Sequence, residues 1–159
     1  MKFSICALVT CAFVSASALI YAANKDSAQF SVSINIKETC NIAAAYIADL
    51  DFGSINRESQ SLNKNNHLAV TCSQGTPYRI ALQSQREMVN AAADHAKIPY
   101  TLYQDASRTT LWGTDSQNAY SGTGTGSTQK VPVWGQVEQA DTNVPAGQYS
   151  DKVTAVITY

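Results

Sequence analysis

Two histidines, four cysteines, two tryptophans and one glycine-rich run are the places in this 159-residue chain where residue type and spacing invite chemistry. A metal site requires two to four converging ligands. Neither His67 nor His95 has a second ligand at metal-binding spacing, so both read as packed or solvated side chains and no metal is expected. In "SGTGTGST", Gly122, Gly124 and Gly126 are evenly spaced. A phosphate cradle needs a helix after the glycines, and a P-loop needs Lys followed by Ser or Thr. Here Lys130 is followed by Val131 and a strand-like run, and the stretch reads as a flexible hairpin connection. Serines and aspartates abound, yet no nucleophile elbow is present and no cofactor is implied. The expectation is therefore not an enzyme. Trp112 and Trp134 stand beside Gly113 and Gly135. Platforms for a sugar or a base are one reading of them. Packing in the core or at the edge of a sandwich is the favoured one.

The cysteines depend on compartment. Met1 and Lys2 precede an apolar run, "FSICALVTCAFVSASALI", that ends in small residues and gives way to the polar "YAANKDS". This is the layout of a secretory signal peptide, residues 1–23, with a membrane anchor as the competing reading. Cleavage removes Cys6 and Cys11 and leaves Cys40 and Cys72, an even pair bound for an oxidising space. A disulfide between them is the natural reading, and two buried free thiols the alternative. The remainder suits a single core. A net charge of -1 with 14% charged residues gives no electrostatic case for nucleic acid or an acidic membrane.

The elements that must position these residues are strands. In "QFSVSINIK", Phe30, Val32, Ile34 and Ile36 alternate with polar residues, the period of a half-buried strand. "LDFG" reads as a strand ending at Gly53, "RESQSLNKNN" as a polar loop, "HLAVTCS" as a strand carrying Cys72, and "PYRIALQS" as alternation through Tyr78, Ile80 and Leu82. Residues 85–97 are the one plausible helix, yet too short to stand alone, and the expectation is a loop with at most one helical turn. "IPYTLYQD", "TTLWG", "KVPVWGQVE" and the terminal run add strands separated by turn residues. Regularly spaced short strands predict an all-β sandwich. The final run places Val153, Ala155, Ile157 and Tyr159 on one face and raises the question of what covers its far edge.

Several stretches together resemble one family. "VTCS", "YTLYQDASRTTLWG", "GSTQKVPVWGQV" and "VPAGQYSDKVTAVITY", with "LYQDASRTTL" at Leu102 to Leu111 and the later Gly147, Tyr149 and Asp151, are similar to the spore coat protein U domain of archaic (Csu-type) chaperone-usher pili. The resemblance runs from about Phe30 to Tyr159; residues 41–66 depart from the pattern. It implies an all-β, incomplete immunoglobulin-like sandwich that lacks its last strand and is completed by donor-strand complementation. It matches Cys40 and Cys72 to a disulfide between the first two strands, and Tyr149 and Asp151 to the motif opening the last one.

On this resemblance residues 24–37 are the N-terminal donor segment, with Phe30, Val32, Ile34 and Ile36 as its knobs, and residues 38–159 the pilin domain. Val153, Ala155, Ile157 and Tyr159 border the acceptor groove. The partners implied are other pilus subunits, a periplasmic chaperone and an outer-membrane usher, with export to the cell surface and a role in adhesion and biofilm formation. Pattern alone equally allows residues 30–36 to be the first strand of their own domain, or to divide between donor and first strand. The alternatives in function are a secreted carbohydrate- or surface-binding adhesin module, and a coat protein.

Overall fold

A computed structural model describes residues 24–43, 49–57 and 60–159; the expected signal peptide lies outside the described residues. The chain divides into two units, residues 1–35 and 36–159. In the first, residues 24–35 have no assigned secondary structure.

The second unit is built from antiparallel strands: β1 (Cys40–Ala43), β2 (Leu62–Cys72), β3 (Pro77–Gln83), β4 (Glu87–Val89), β5 (Lys97–Pro99), β6 (Thr101–Tyr103), β7 (Tyr120–Thr123), β8 (Thr128–Val137) and β9 (Thr154–Thr158). One sheet has the order β1-β2-β8-β6, the other β7-β3-β9, and β4 and β5 form a separate hairpin. No α-helix occurs among the described residues. The two larger sheets bury one face each against a common core, which makes the unit a β-sandwich.

Alternation sets the faces. In β8, Val131, Val133 and Val137 point inward, and Leu68 and Val70 of β2 are buried beside them, Leu68 opposite Val131 and Val70 opposite Gln129. From the other sheet come Tyr78, Ile80 and Leu82, so the alternation read in "PYRIALQS" is the buried face of β3. Full burial of side chains of this kind is worth about 1.5 to 3 kcal/mol each. Trp112 closes the core from the side: it is 3% exposed, stacks on Tyr120 at 5.6 Å, and its indole N–H donates to the Ile80 carbonyl at 2.8 Å.

The glycine-rich run has a steric reason. Its first part is β7, and a Cβ on Gly122 would lie 2.4 Å from Cζ of Tyr78, whose ring crosses the backbone there. It is thus a strand running into a short connection, Gly124 to Ser127, and not a flexible link throughout.

Other expectations are corrected. β2 begins at Leu62, inside the stretch read as a polar loop, because pairing with β8 carries polar outward-facing residues into the ladder. "LDFG" is not a strand: Leu50 and Phe52 pack against the core from an irregular segment. "TTLWG" contributes a single bridge, Leu111 to Tyr103. Residues 85–97 form most of the β4–β5 hairpin, where Met88 and Ile98 pack inward and Lys97 pairs with Glu87 at 2.6 Å. Tertiary packing there overrides the helix propensity of three consecutive alanines.

Candidate functional site

β1 and β9 are edge strands of opposite sheets and come into contact along one side of the sandwich. Among the described residues β1 pairs with β2 alone and β9 with β3 alone. Residues of both sheets and of the β4–β5 hairpin line a cleft of about 610 Å³. Its floor is apolar: Leu68, Leu102 and Val133 from one sheet, Leu82 and Ala155 from the other, and Met88 from the hairpin.

Local sequence shapes both rims. On one side, Asp51 Oδ1 accepts the Gly53 N–H at 2.8 Å, a short-range turn that Gly53 permits with φ of 84°, while Asn66 Nδ2 donates to the Asp49 carbonyl at 3.3 Å. Gly135 makes room for this segment: a Cβ there would sit 2.5 Å from Leu50 Cδ2 and 3.0 Å from Phe52 Cζ. Across the cleft, Val89 and Ser150 exchange backbone hydrogen bonds at 2.9 and 3.3 Å, and the Tyr149 hydroxyl donates to the Pro145 carbonyl at 2.7 Å.

A polar knot fixes the second rim. The Tyr100 hydroxyl donates to Asp151 Oδ2 at 2.6 Å and lies 3.1 Å from Ser84 Oγ, and the Lys152 N–H donates to Asp151 Oδ1 at 2.7 Å. Burial, reinforced by the bond to Asp151, pushes the Tyr100 phenol up to about 12. Behind it Arg86, at φ of 58°, donates through Nη2 to the carbonyls of Leu82 at 2.8 Å and Trp112 at 3.1 Å. Burial holds its guanidinium below the usual range.

The structure distributes the expected site residues unevenly. Val153 and Ala155 line the cleft, Ile157 packs half-buried against the core, and Tyr159 is exposed. Phe30, Val32 and Ile34 are each 86% exposed and Ile36 83%. Cys40 and Cys72 are directly opposed on β1 and β2 and form a disulfide. His67 borders the cleft from within β2, and His95 sits exposed in the β4–β5 turn. The described residues contain no group of three side chains fit to hold a metal. Sequence reading missed Leu68, Met88 and Leu102 as cleft residues and gave no role to Tyr100 or Arg86. Periodicity shows only that a side chain faces inward, whereas the cleft is assembled from segments far apart in the chain.

Such a site offers apolar burial and, among the described residues, a strand edge without a partner. Among curated proteins, Protein U of Myxococcus xanthus is 39% identical over 74 residues, spanning 46% of this chain and 40% of that protein. Among solved structures, the CsuC–CsuE chaperone-tip adhesion subunit pre-assembly complex, from archaic chaperone-usher Csu pili of Acinetobacter baumannii, is similar with a TM-score of 0.54 at 19% identity. That overlap covers 78% of this chain and 40% of the other, and is a likeness of fold: an all-β, immunoglobulin-like sandwich, here open along one side. The profile of the Spore Coat Protein U domain matches residues 26–156, well over half of the sequence, and the chain therefore belongs to the Spore Coat Protein U domain family.

Proposed function

We propose that this protein is a structural subunit of a chaperone-usher pilus that polymerises by donor-strand exchange. The observation that carries the reading is the combination of an apolar cleft beside β9, whose edge away from β3 has no partner strand among the described residues, with four regularly spaced apolar side chains left 83 to 86% exposed. In this reading Phe30, Val32, Ile34 and Ile36 of one subunit fill the cleft of the next, bordered by Val153, Ala155, Ile157 and Tyr159. Burying four such side chains is worth roughly 6 to 12 kcal/mol. Association costs about 4 to 15 kcal/mol, so the backbone ladder along β9 tips the balance. A one-residue slip turns every knob outward, and strict alternation is what fixes the register.

Before assembly a periplasmic chaperone lends its own strand to the cleft, an outer-membrane usher exports the subunit, and the fibre serves adhesion and biofilm formation at the cell surface. Ile34→Asp stops assembly while leaving the cleft able to bind an unaltered donor peptide. Fibre formation at the wild-type level by this variant overturns the proposal.

A second reading, a carbohydrate-binding adhesin module, draws on Trp134. This side chain lies half-buried on the outer face of β8, paired across the sheet with Tyr103, with the Arg108 guanidinium 5.8 Å from its ring centre. Trp112, enclosed in the core, no longer supports it. Glycan-array binding that disappears in Trp134→Ala favours the module; no binding leaves the pilus reading alone.

A further inference from the structure

Charge around the cleft is one-sided. Asp49, Asp51 and Asp151 line it and are exposed, and no lysine or arginine stands among the described lining residues; His67 is the one other titratable base there. The three carboxylates are not equivalent. Asp151 is answered by the Tyr100 hydroxyl and the Lys152 amide, with Arg86 close behind. Asp51 commits one oxygen to Gly53. Asp49 gives its backbone carbonyl to Asn66 and keeps its carboxylate exposed. Among the described lining residues, the carboxylates without a neighbouring cation are therefore Asp49 and Asp51.

The apolar knobs carry a matching cation at one end. Lys37 follows Ile36 directly, about 3.3 Å along an extended strand, whereas Lys25 stands five residues before Phe30, about 17 Å away. Side chains alternate, so Lys37 points away from the knobs toward the mouth of an occupied cleft. The donated stretch also ends there. Thr39 is tied to its own sheet, its N–H donating to Ser73 Oγ at 3.1 Å and its carbonyl accepting the Ser73 N–H at 2.9 Å. Glu38 is thus drawn back toward its own domain, and Lys37 is the last residue free to lie with the knobs.

We propose that the cleft selects its strand by charge as well as shape, with Lys37 of an incoming copy seated against Asp49 and Asp51. This rests on the donor-strand reading above and names the electrostatic half of that recognition. It implies that charge sets both the speed of encounter and the end of the register, since complementary rims steer association and like charges oppose it. The contact is at the surface and screened by salt.

The test uses full-length Ile34→Asp protein as acceptor and a fluorescent peptide of residues 24–38 as probe, with anisotropy as the readout. The peptide carrying Lys37→Glu is expected to bind about three- to tenfold more weakly than the unaltered peptide at low salt. The difference should vanish near 1 M salt, where the Debye length is about 3 Å. The acceptor carrying Asp49→Lys as well should restore binding of the Lys37→Glu peptide, and a Lys25→Glu peptide should bind as the unaltered one does. Equal binding of the Lys37→Glu and unaltered peptides at low salt, or a larger effect from Lys25→Glu, overturns the charge proposal while leaving donor-strand binding intact. Failure of the unaltered peptide to bind at all overturns both.

Discussion

Reducing the disulfide should cost this domain about 3 to 4 kcal/mol. Cys40 and Cys72 are separated by 32 residues, and in the chain-entropy model closing a loop of that length removes about 12.5 cal/mol/K from the unfolded chain, near 3.7 kcal/mol at 25 °C. The native geometry makes the loss felt at the cleft. β1 has four residues, Cys40–Ala43, pairs with β2 alone among the described residues, and is one of the two edge strands that meet along the open side of the sandwich. Without the cross-link, four residues of ladder, the Thr39–Ser73 hydrogen bonds and the packing of Ile42 must hold that edge. The assay is urea unfolding with and without reductant, alongside Cys40→Ala/Cys72→Ala. The midpoint should fall, and the slope should rise because the reduced unfolded chain exposes more surface. Identical midpoints in the two states would mean that the bond constrains neither the unfolded chain nor β1, contrary to this expectation.

Other outcomes follow from single contacts. Gly122→Ala forces a Cβ to within 2.4 Å of the buried Tyr78 ring and should cost about 1 to 3 kcal/mol by overpacking, read as a lowered denaturation midpoint. The Tyr100 phenol, raised from 10 to about 12 in the folded state, keeps its proton where the unfolded chain loses it. Its contribution is fully present below pH 10 and is lost as pH rises toward about 12, so stability should fall across that window. Tyr100→Phe should flatten that fall relative to the parent, with both measured by denaturant unfolding at a series of alkaline pH values.

Much of the sandwich was legible because half-buried strands write their faces into the sequence. Tyr78, Ile80 and Leu82 in β3 face inward at every second position, as their alternation predicts, and in the strand expected at "KVPVWGQVE" Val131, Val133, Gly135 and Val137 do the same. The disulfide between Cys40 and Cys72 was expected from cysteine counting on the assumption of an oxidising compartment, and the two residues are bonded across β1 and β2. Reading failed where tertiary contacts decide. Residues 62–66 look like a loop, yet β8 supplies a partner for each of them. Leu50 and Phe52 look like a strand, yet their place over Gly135 is set by a missing Cβ on a distant strand. The same holds for the cleft. Val153 and Ala155 were readable from the terminal run, while Tyr100, Arg86 and Asp151 meet only through folding, and no spacing in the chain announces a hydrogen bond between residues 100 and 151.

Heated and unheated SDS gels of residues 24–159, beside a version lacking residues 24–37, decide whether the N-terminal segment joins one subunit to the next. If the exposed knobs of one subunit hold the cleft of another, a ladder of oligomers should appear only in the unheated sample and vanish with the truncation. Monomers in every lane, with the truncated form folded and soluble, would contradict it: the cleft would then be a feature of a self-sufficient domain and not the joint of a fibre.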